Sequence, residues 1–129
     1  MRFDEKAREN MEAADRLLSR SEDGLSDPLA NASASRAYYA AYQAVADCAQ
    51  HVGIEFDSRD ASYYVHDKLP AIAFHRRIID LDEREDLSWL YGLRVKADYA
   101  DEHVDGDEAT EAAHVARRIV DKLVGLEGV

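Results

Sequence analysis

The stretch from Pro28 to His51 constrains the fold more than any other part of the chain. It is rich in alanine, and Ala34, Tyr38, Ala41, Val45, Cys48 and Val52 fall along one face at helical spacing. Alanine has the best helix propensity, and its small side chain lets neighbouring helices approach closely. The segment therefore predicts a long helix suited to tight packing. Asp27 before Pro28 supplies an N-cap and a first-turn proline, and Gly53 falls where a left-handed C-cap is needed.

The flanking segments repeat the helical period. Phe3, Ala7, Met11, Ala14, Leu17 and Leu18 recur at steps of three and four, predicting an amphipathic first helix that Gly24 stops. After Gly53, Asp57 or Ser58 caps a third helical segment reaching about Arg77. Pro70 inside it removes an amide donor and crowds the preceding turn, which predicts a kink or a break. Asp80 with Glu83, and Asp82 with Glu85, both have capping-box spacing for a fourth helix that runs to about Glu102, and the sequence leaves open which cap is used. Asp105 and Glu108 repeat that signal for a fifth helix, with a stripe from Ala109 through Ala112, Ala113, Ala116, Ile119 and Val120 to Leu123, and a stop at Gly125. No segment alternates as a strand would. Short connections imply antiparallel neighbours, so the expectation is an all-α, up-and-down bundle of four main helices plus a shorter kinked helical segment.

Length and composition narrow the function classes. A chain of 129 residues is expected to form one domain, residues 1–129, with a core that needs neither disulfides nor metal as staples. Cys48 is the only cysteine, which excludes an internal disulfide, and its alanine-rich surroundings read as a buried structural thiol. No charged-then-apolar leader and no long apolar run are seen, so a cytoplasmic protein without a membrane span is expected. The net charge of −11 argues against nonspecific polyanion binding; any RNA must meet a local patch. The basic clusters are His75-Arg76-Arg77 and Arg117-Arg118, both also explained by cations near helix C-termini. His51, His66, His75, His103 and His114 are too dispersed for zinc, so no metal and no cofactor are expected. A glycine-rich phosphate cradle is absent, as is the Gly-Ser and paired-aspartate pattern of a nucleotidyltransferase.

Two polar interruptions of apolar helices carry the chemistry. In Leu90–Tyr99, Arg94 and Asp98 lie one turn apart, with Tyr91 three residues before Arg94. In Ser35–Tyr42, Arg36 stands among tyrosines and alanines, with Tyr39 and Gln43 at helical spacing behind it. Each is readable as a structural polar knot or as a functional site. A charge near a core needs a specific partner, and tyrosine hydroxyls are able to tie Arg36 or Asp98 into a network between the second and fourth helices.

The Arg-Ala-Tyr-Tyr-Ala run at 36–40, then His66, then Leu-Arg-Val-Lys-Ala-Asp-Tyr at 93–99, resemble the HEPN superfamily in order and spacing. The likeness is to small stand-alone HEPN proteins with an Arg-x-x-Ala-Asp-Tyr signature and covers roughly Ala30 to Leu123. It implies a helical bundle that often dimerises, a toxin component or a partner of small nucleotidyltransferases, and binding or cutting of RNA. In the nuclease members, an arginine followed a few residues later by a histidine forms a metal-independent site at the dimer interface. Here the residues after Arg94 are Val95, Lys96, Ala97, Asp98 and Tyr99, and the next histidine is His103. Nine helical residues turn that histidine about 180° away from Arg94.

The leading expectation is a homodimeric binding module that works with a separately encoded nucleotidyltransferase or antitoxin partner, in a toxin–antitoxin or defence setting. Arg36, Arg94, Asp98 and Tyr99 would form the polar centre of a groove, with Tyr39 and Tyr91 beside them, holding a partner segment or a nucleotide phosphate. One alternative is a metal-independent endoribonuclease, with Arg94 against the phosphate, Asp98 or His66 as acid–base group and Tyr99 positioning the strand. Another is an acidic adaptor that docks a basic protein surface through its overall charge.

Overall fold

The computed structural model of the protein describes residues 3–20, 27–53, 68–99 and 104–124. His66, His103, Gly24, Gly125 and the cap candidates Asp57 and Ser58 lie outside the described residues. The elements are α1 (Phe3–Arg20), α2 (Asp27–His51), α3 (Lys68–His75), α4 (Leu81–Tyr99) and α5 (Gly106–Leu123), and no strand occurs among the described residues. The architecture is an all-α helical bundle.

The alanine-rich helix is the hub: α2 packs against α1, α5, α4 and α3. Ala30, Ala34, Ala37, Ala40, Ala41, Ala44, Val45, Ala46 and Ala49 are all at 1 % exposure or less. At 100° per residue these positions cover well over half the helix circumference, more than the single stripe read from the sequence. A helix contacted on several sides keeps only a narrow polar strip, here with Arg36 and Gln50 exposed, and alanine lets each neighbour come close. Replacing one of these alanines by leucine would push a neighbouring helix outward at a cost of about 1–3 kcal/mol. Val52, assigned to the stripe in the sequence, is instead 50 % exposed. It lies beyond the helix end, where Gly53 at φ +91 turns the chain and its N–H donates to the Gln50 carbonyl at 3.0 Å.

Polar ties hold α2 to its neighbours. The Ser33 hydroxyl, fully buried, donates to the Ala14 carbonyl at 2.9 Å and joins α2 to α1. The Asn31 side chain accepts the Val104 N–H at 2.8 Å and fixes the approach to α5. Cys48 Sγ donates to the Leu123 carbonyl at 3.3 Å, and burial, followed by the Asp47 charge, raises its thiol pKa, so the cysteine is a protonated packing residue between α2 and α5.

Local signals set the helix ends. Within the described residues α3 begins at Lys68, which places Pro70 in its first turn; the stretch before Lys68, from which a kink or break at Pro70 was expected to separate it, lies outside the described residues. The far end of α3 closes as a Schellman motif: Ile78 N–H reaches the Ala73 carbonyl at 2.9 Å and Arg77 N–H the Phe74 carbonyl at 3.1 Å. The left-handed residue is Arg77 at φ +62, where glycine would be cheaper by about 1 kcal/mol. Of the two caps open for α4, Asp80 is used: Glu83 N–H donates to Asp80 Oδ1 and Asp80 N–H to Glu83 Oε1, both at 2.8 Å. Asp105 and Glu108 form the matching box on α5. Lys122 near the end of α5 reaches Glu83 at 2.7 Å, and Lys96 of α4 reaches Glu108 at 3.2 Å, so the carboxylates of both boxes also bind a cation from the neighbouring helix.

Candidate functional site

The two helices that carry the polar interruptions, α2 and α4, meet through a four-residue clasp. Ser35 and Tyr39 are one turn apart on α2, and Arg94 and Asp98 are one turn apart on α4, so both pairs fall on single helix faces. Arg94 Nη2 donates to the Tyr39 hydroxyl at 2.7 Å, and its guanidinium carbon lies 5.4 Å from the centre of the Tyr39 ring. Arg94 Nε sits 3.1 Å from Asp98 Oδ2, with its N–H off that line, so the contact is coulombic rather than a well-aligned hydrogen bond. The Ser35 hydroxyl donates to the same Asp98 oxygen at 3.3 Å.

Burial explains why these partners are needed. The Arg94 side chain is only 12 % exposed, and a guanidinium that far from water requires both a counter-charge and hydrogen-bond acceptors. Asp98 is 32 % exposed and stands at the rim, where solvent screens part of the attraction. The pair is thus the intrahelical salt bridge that the spacing allowed, and it is also anchored across helices by Tyr39 and Ser35. Ser35 was not among the residues singled out from the sequence. The signal for it was its i, i+4 relation to Tyr39, which mirrors that of Arg94 to Asp98.

Beneath the clasp lies an aromatic floor. The Tyr38 ring, 1 % exposed, is 5.3 Å from Tyr39, 5.9 Å from Tyr42 and 5.6 Å from Tyr91 between centres. Burial raises the Tyr38 phenol far above its ordinary range, and the neighbouring tyrosines add to this, so it stays protonated and is no acid–base group. Tyr91 belongs to this floor through Tyr38.

Arg36 does not join the clasp. It is exposed, and Nη1 donates to Asn10 Oδ1 of α1 at 3.2 Å, away from α4. The Asn10 and Gln43 side-chain amides meet at 2.6 Å, making a separate polar seam between α1 and α2. Of the remaining candidates, Tyr99 is the last residue of α4 but its side chain lies outside the described residues, as does His66. Lys96 faces α5 through Glu108. The Arg117 side chain pairs with Asp15 of α1, while the burial that raises the Asp86 carboxyl is partly offset by Arg118.

Chemically, the clasp offers one fixed guanidinium, two hydroxyls and a carboxylate at the rim of a strongly acidic protein. A phosphate or carboxylate arriving there would exchange with Asp98 for Arg94 while Tyr39 held the guanidinium in place. Among the described residues, no group of three His, Cys, Asp or Glu side chains is placed to hold a metal ion. Nor is any described helix long and apolar enough to cross a membrane.

No curated protein matches the sequence. Residues 5–126, nearly the whole chain and including most of α1 and every residue of the clasp, match the HEPN domain family, and the protein belongs to that family.

Proposed function

We propose that this protein is a HEPN component of a toxin–antitoxin, defence or nucleotidyltransferase-associated module, and that it binds a separately encoded partner, RNA or a nucleotide through the α2–α4 clasp. Family membership supports the broad role, nucleotide- or RNA-related or of toxin–antitoxin type. The observation that carries the finer reading is Arg94: a guanidinium 12 % exposed, oriented by Tyr39 and paired with a rim carboxylate that an incoming anion is able to replace. Affiliation with the small stand-alone branch rests on Arg94, Ala97, Asp98 and Tyr99, which spell its signature. A homodimer is supported by Trp89, 40 % exposed on the face of α4 turned away from Arg94, with the exposed Gly92 beside it.

The test pairs Arg94→Ala with Arg94→Lys and measures binding of RNA oligonucleotides and of the neighbouring gene's product by anisotropy, alongside melting temperature. Loss of binding in both variants, with the lysine variant still well folded, supports a guanidinium-specific site. If Arg94→Ala only lowers the melting temperature and leaves all binding intact, the clasp is structural and the proposal fails.

A metal-independent endoribonuclease is the second reading, favoured by Asp98 standing beside Arg94 at a solvent-reachable position. Incubation of total RNA with purified protein in chelator, against Arg94→Ala, decides it. No cleavage at high protein concentration, with and without the partner, rejects it.

A further inference from the structure

Asp98 grips Arg94 loosely for the counter-charge of a guanidinium only 12 % exposed. Among the described residues, a single oxygen of Asp98 makes all its contacts: Oδ2 meets Arg94 Nε at 3.1 Å, off the N–H line, and accepts from the Ser35 hydroxyl at 3.3 Å. A carboxylate paired side-on with arginine takes Nε and Nη2 together, but here Nη2 is engaged by the Tyr39 hydroxyl at 2.7 Å. Asp98 is also the outer member of the pair, 32 % exposed, and stands next to last in α4. One donor group from α4 and one from α2 thus come within 3.3 Å of a single point near the surface, and an acidic oxygen of the chain itself fills that point.

We infer that Asp98 is a gate, a tethered stand-in for the anion that keeps Arg94 closed to free carboxylates and small monoanions and yields to a phosphate group. This rests on the reading of the clasp as a binding site and names what selects its ligand. A tethered group competes at an effective concentration of about a millimolar or more. A free carboxylate, with the same charge and the same contacts to offer, does not displace it below that range. A phosphate differs in two ways. Its two or more unesterified oxygens let one meet Nε along the N–H while another takes the Ser35 hydroxyl, both of which Asp98 serves with one oxygen. A terminal phosphate, moreover, carries roughly 1.5 to 2 negative charges near pH 7. Opening is easy because the displaced carboxylate turns into water, so no charge is left buried, while Tyr39 keeps the guanidinium in place. The shared chemistry is the phosphate, whether from a mononucleotide or from an RNA chain.

The probes are a fluorescein-labelled RNA octamer followed by anisotropy, and AMP and sodium acetate followed by calorimetry, each titrated against the full chain and its variants. The parent is expected to bind a phosphate probe and to ignore acetate at a few times the concentration that saturates it. Asp98→Asn should bind that probe about tenfold tighter, the scale of one well-made contact, and should begin to bind acetate. Whichever of AMP and the octamer gains more is the source of the phosphate. Glu85→Gln removes an exposed carboxylate of the same helix roughly 13 Å from Arg94 along the axis, beyond a Debye length, and should change affinity less than twofold. An equal gain in Glu85→Gln overturns the inference, since net charge alone would then explain it. Unchanged or weaker binding in folded Asp98→Asn overturns it as well, as does absence of phosphate binding in every variant. If Asp98→Asn does not fold, the parent decides: acetate displacing the probe as readily as inorganic phosphate sinks the gate. Arg94→Lys separates this from the reading beneath it. Binding lost in Arg94→Lys but not raised in Asp98→Asn leaves the clasp as a site without a gate, whereas a gain that survives in Asp98→Asn/Arg94→Lys places the anion elsewhere and overturns both.

Discussion

Arg36 and Arg94 look alike in the sequence, each a lone arginine among alanines, leucines and tyrosines, yet the bundle gives them opposite surroundings. Arg94 is nearly buried, held by Tyr39 across the helix pair and by Asp98 along its own helix. Arg36 is exposed, and its bond goes to the neutral amide of Asn10. Depth decides the difference. Near the core the guanidinium loses water and must be compensated by charge and hydrogen bonds, whereas at the surface water does most of that work and the contact to Asn10 adds little. An arginine pattern therefore marks a site only once the neighbouring helix has removed its solvent.

The largest expected effect is that of Arg94→Ala, which should lower unfolding free energy by roughly 2–3 kcal/mol in urea denaturation, against at most about 0.5 kcal/mol for Arg36→Ala. Equal losses would break the comparison. Tyr39→Phe keeps the ring and removes the hydroxyl, so it should cost about 1–1.5 kcal/mol, and a double-mutant cycle with Arg94→Ala should show strong coupling, whereas Arg36 with Asn10 should be nearly additive.

Alkaline titration sharpens the same contrast, because Tyr38 lies under the clasp. Its phenol is raised above the ordinary 10.0 by burial, so its contribution to stability is fully present below that value and is lost as pH rises above it toward the folded pKa. Unfolding free energy from urea denaturation should fall by about 1 kcal/mol per pH unit above pH 10, and Tyr38→Phe should flatten that slope. The raised Cys48 thiol acts in the same direction, which Cys48→Ser would separate.

The smallest effect concerns the far face of α4. Nothing lies within 4 Å of where a Cβ would sit on Gly92, so Gly92→Ala should stabilise the helix by up to about 1 kcal/mol in thermal melts. If light scattering shows instead that Gly92→Ala weakens self-association, the bare backbone is itself an interface feature, and α4 carries function on both faces.

Helix positions and ends were readable because they depend on near neighbours in the chain. The reciprocal box at Asp105 and Glu108, the left-handed Gly53 and the buried stripe of α5 are contained in windows of a few residues. The choice between Asp80 and Asp82 was not, since both obey the same local rule. In the structure the Asp80 box is also tied to Lys122 from the other side of the bundle. Val52 followed the stripe in register but lies beyond the last turn of α2.

The candidate site was legible in part. Arg94, Asp98, Tyr39 and Tyr91 were identified, and the bundle brings them to one seam. Arg36 was grouped with them and is not there. Ser35 was passed over, and Asn10 gave no signal beyond a polar residue beside the apolar stripe of α1. Residues on one helix are placed relative to each other by the 100° step, which the sequence contains; residues on different helices are placed by axial rotation and offset, which it does not.

By itself, then, the amino-acid order determined the helical segments, the Asp105–Glu108 capping box and an alanine-rich segment that other helices pack around, because hydrogen bonding and side-chain periodicity act over one or two turns. Only the tertiary structure decided which arginine became the buried member of a clasp and which stayed at the surface. Desolvation and charge pairing are properties of what surrounds a residue, and those surroundings exist only after the helices have packed.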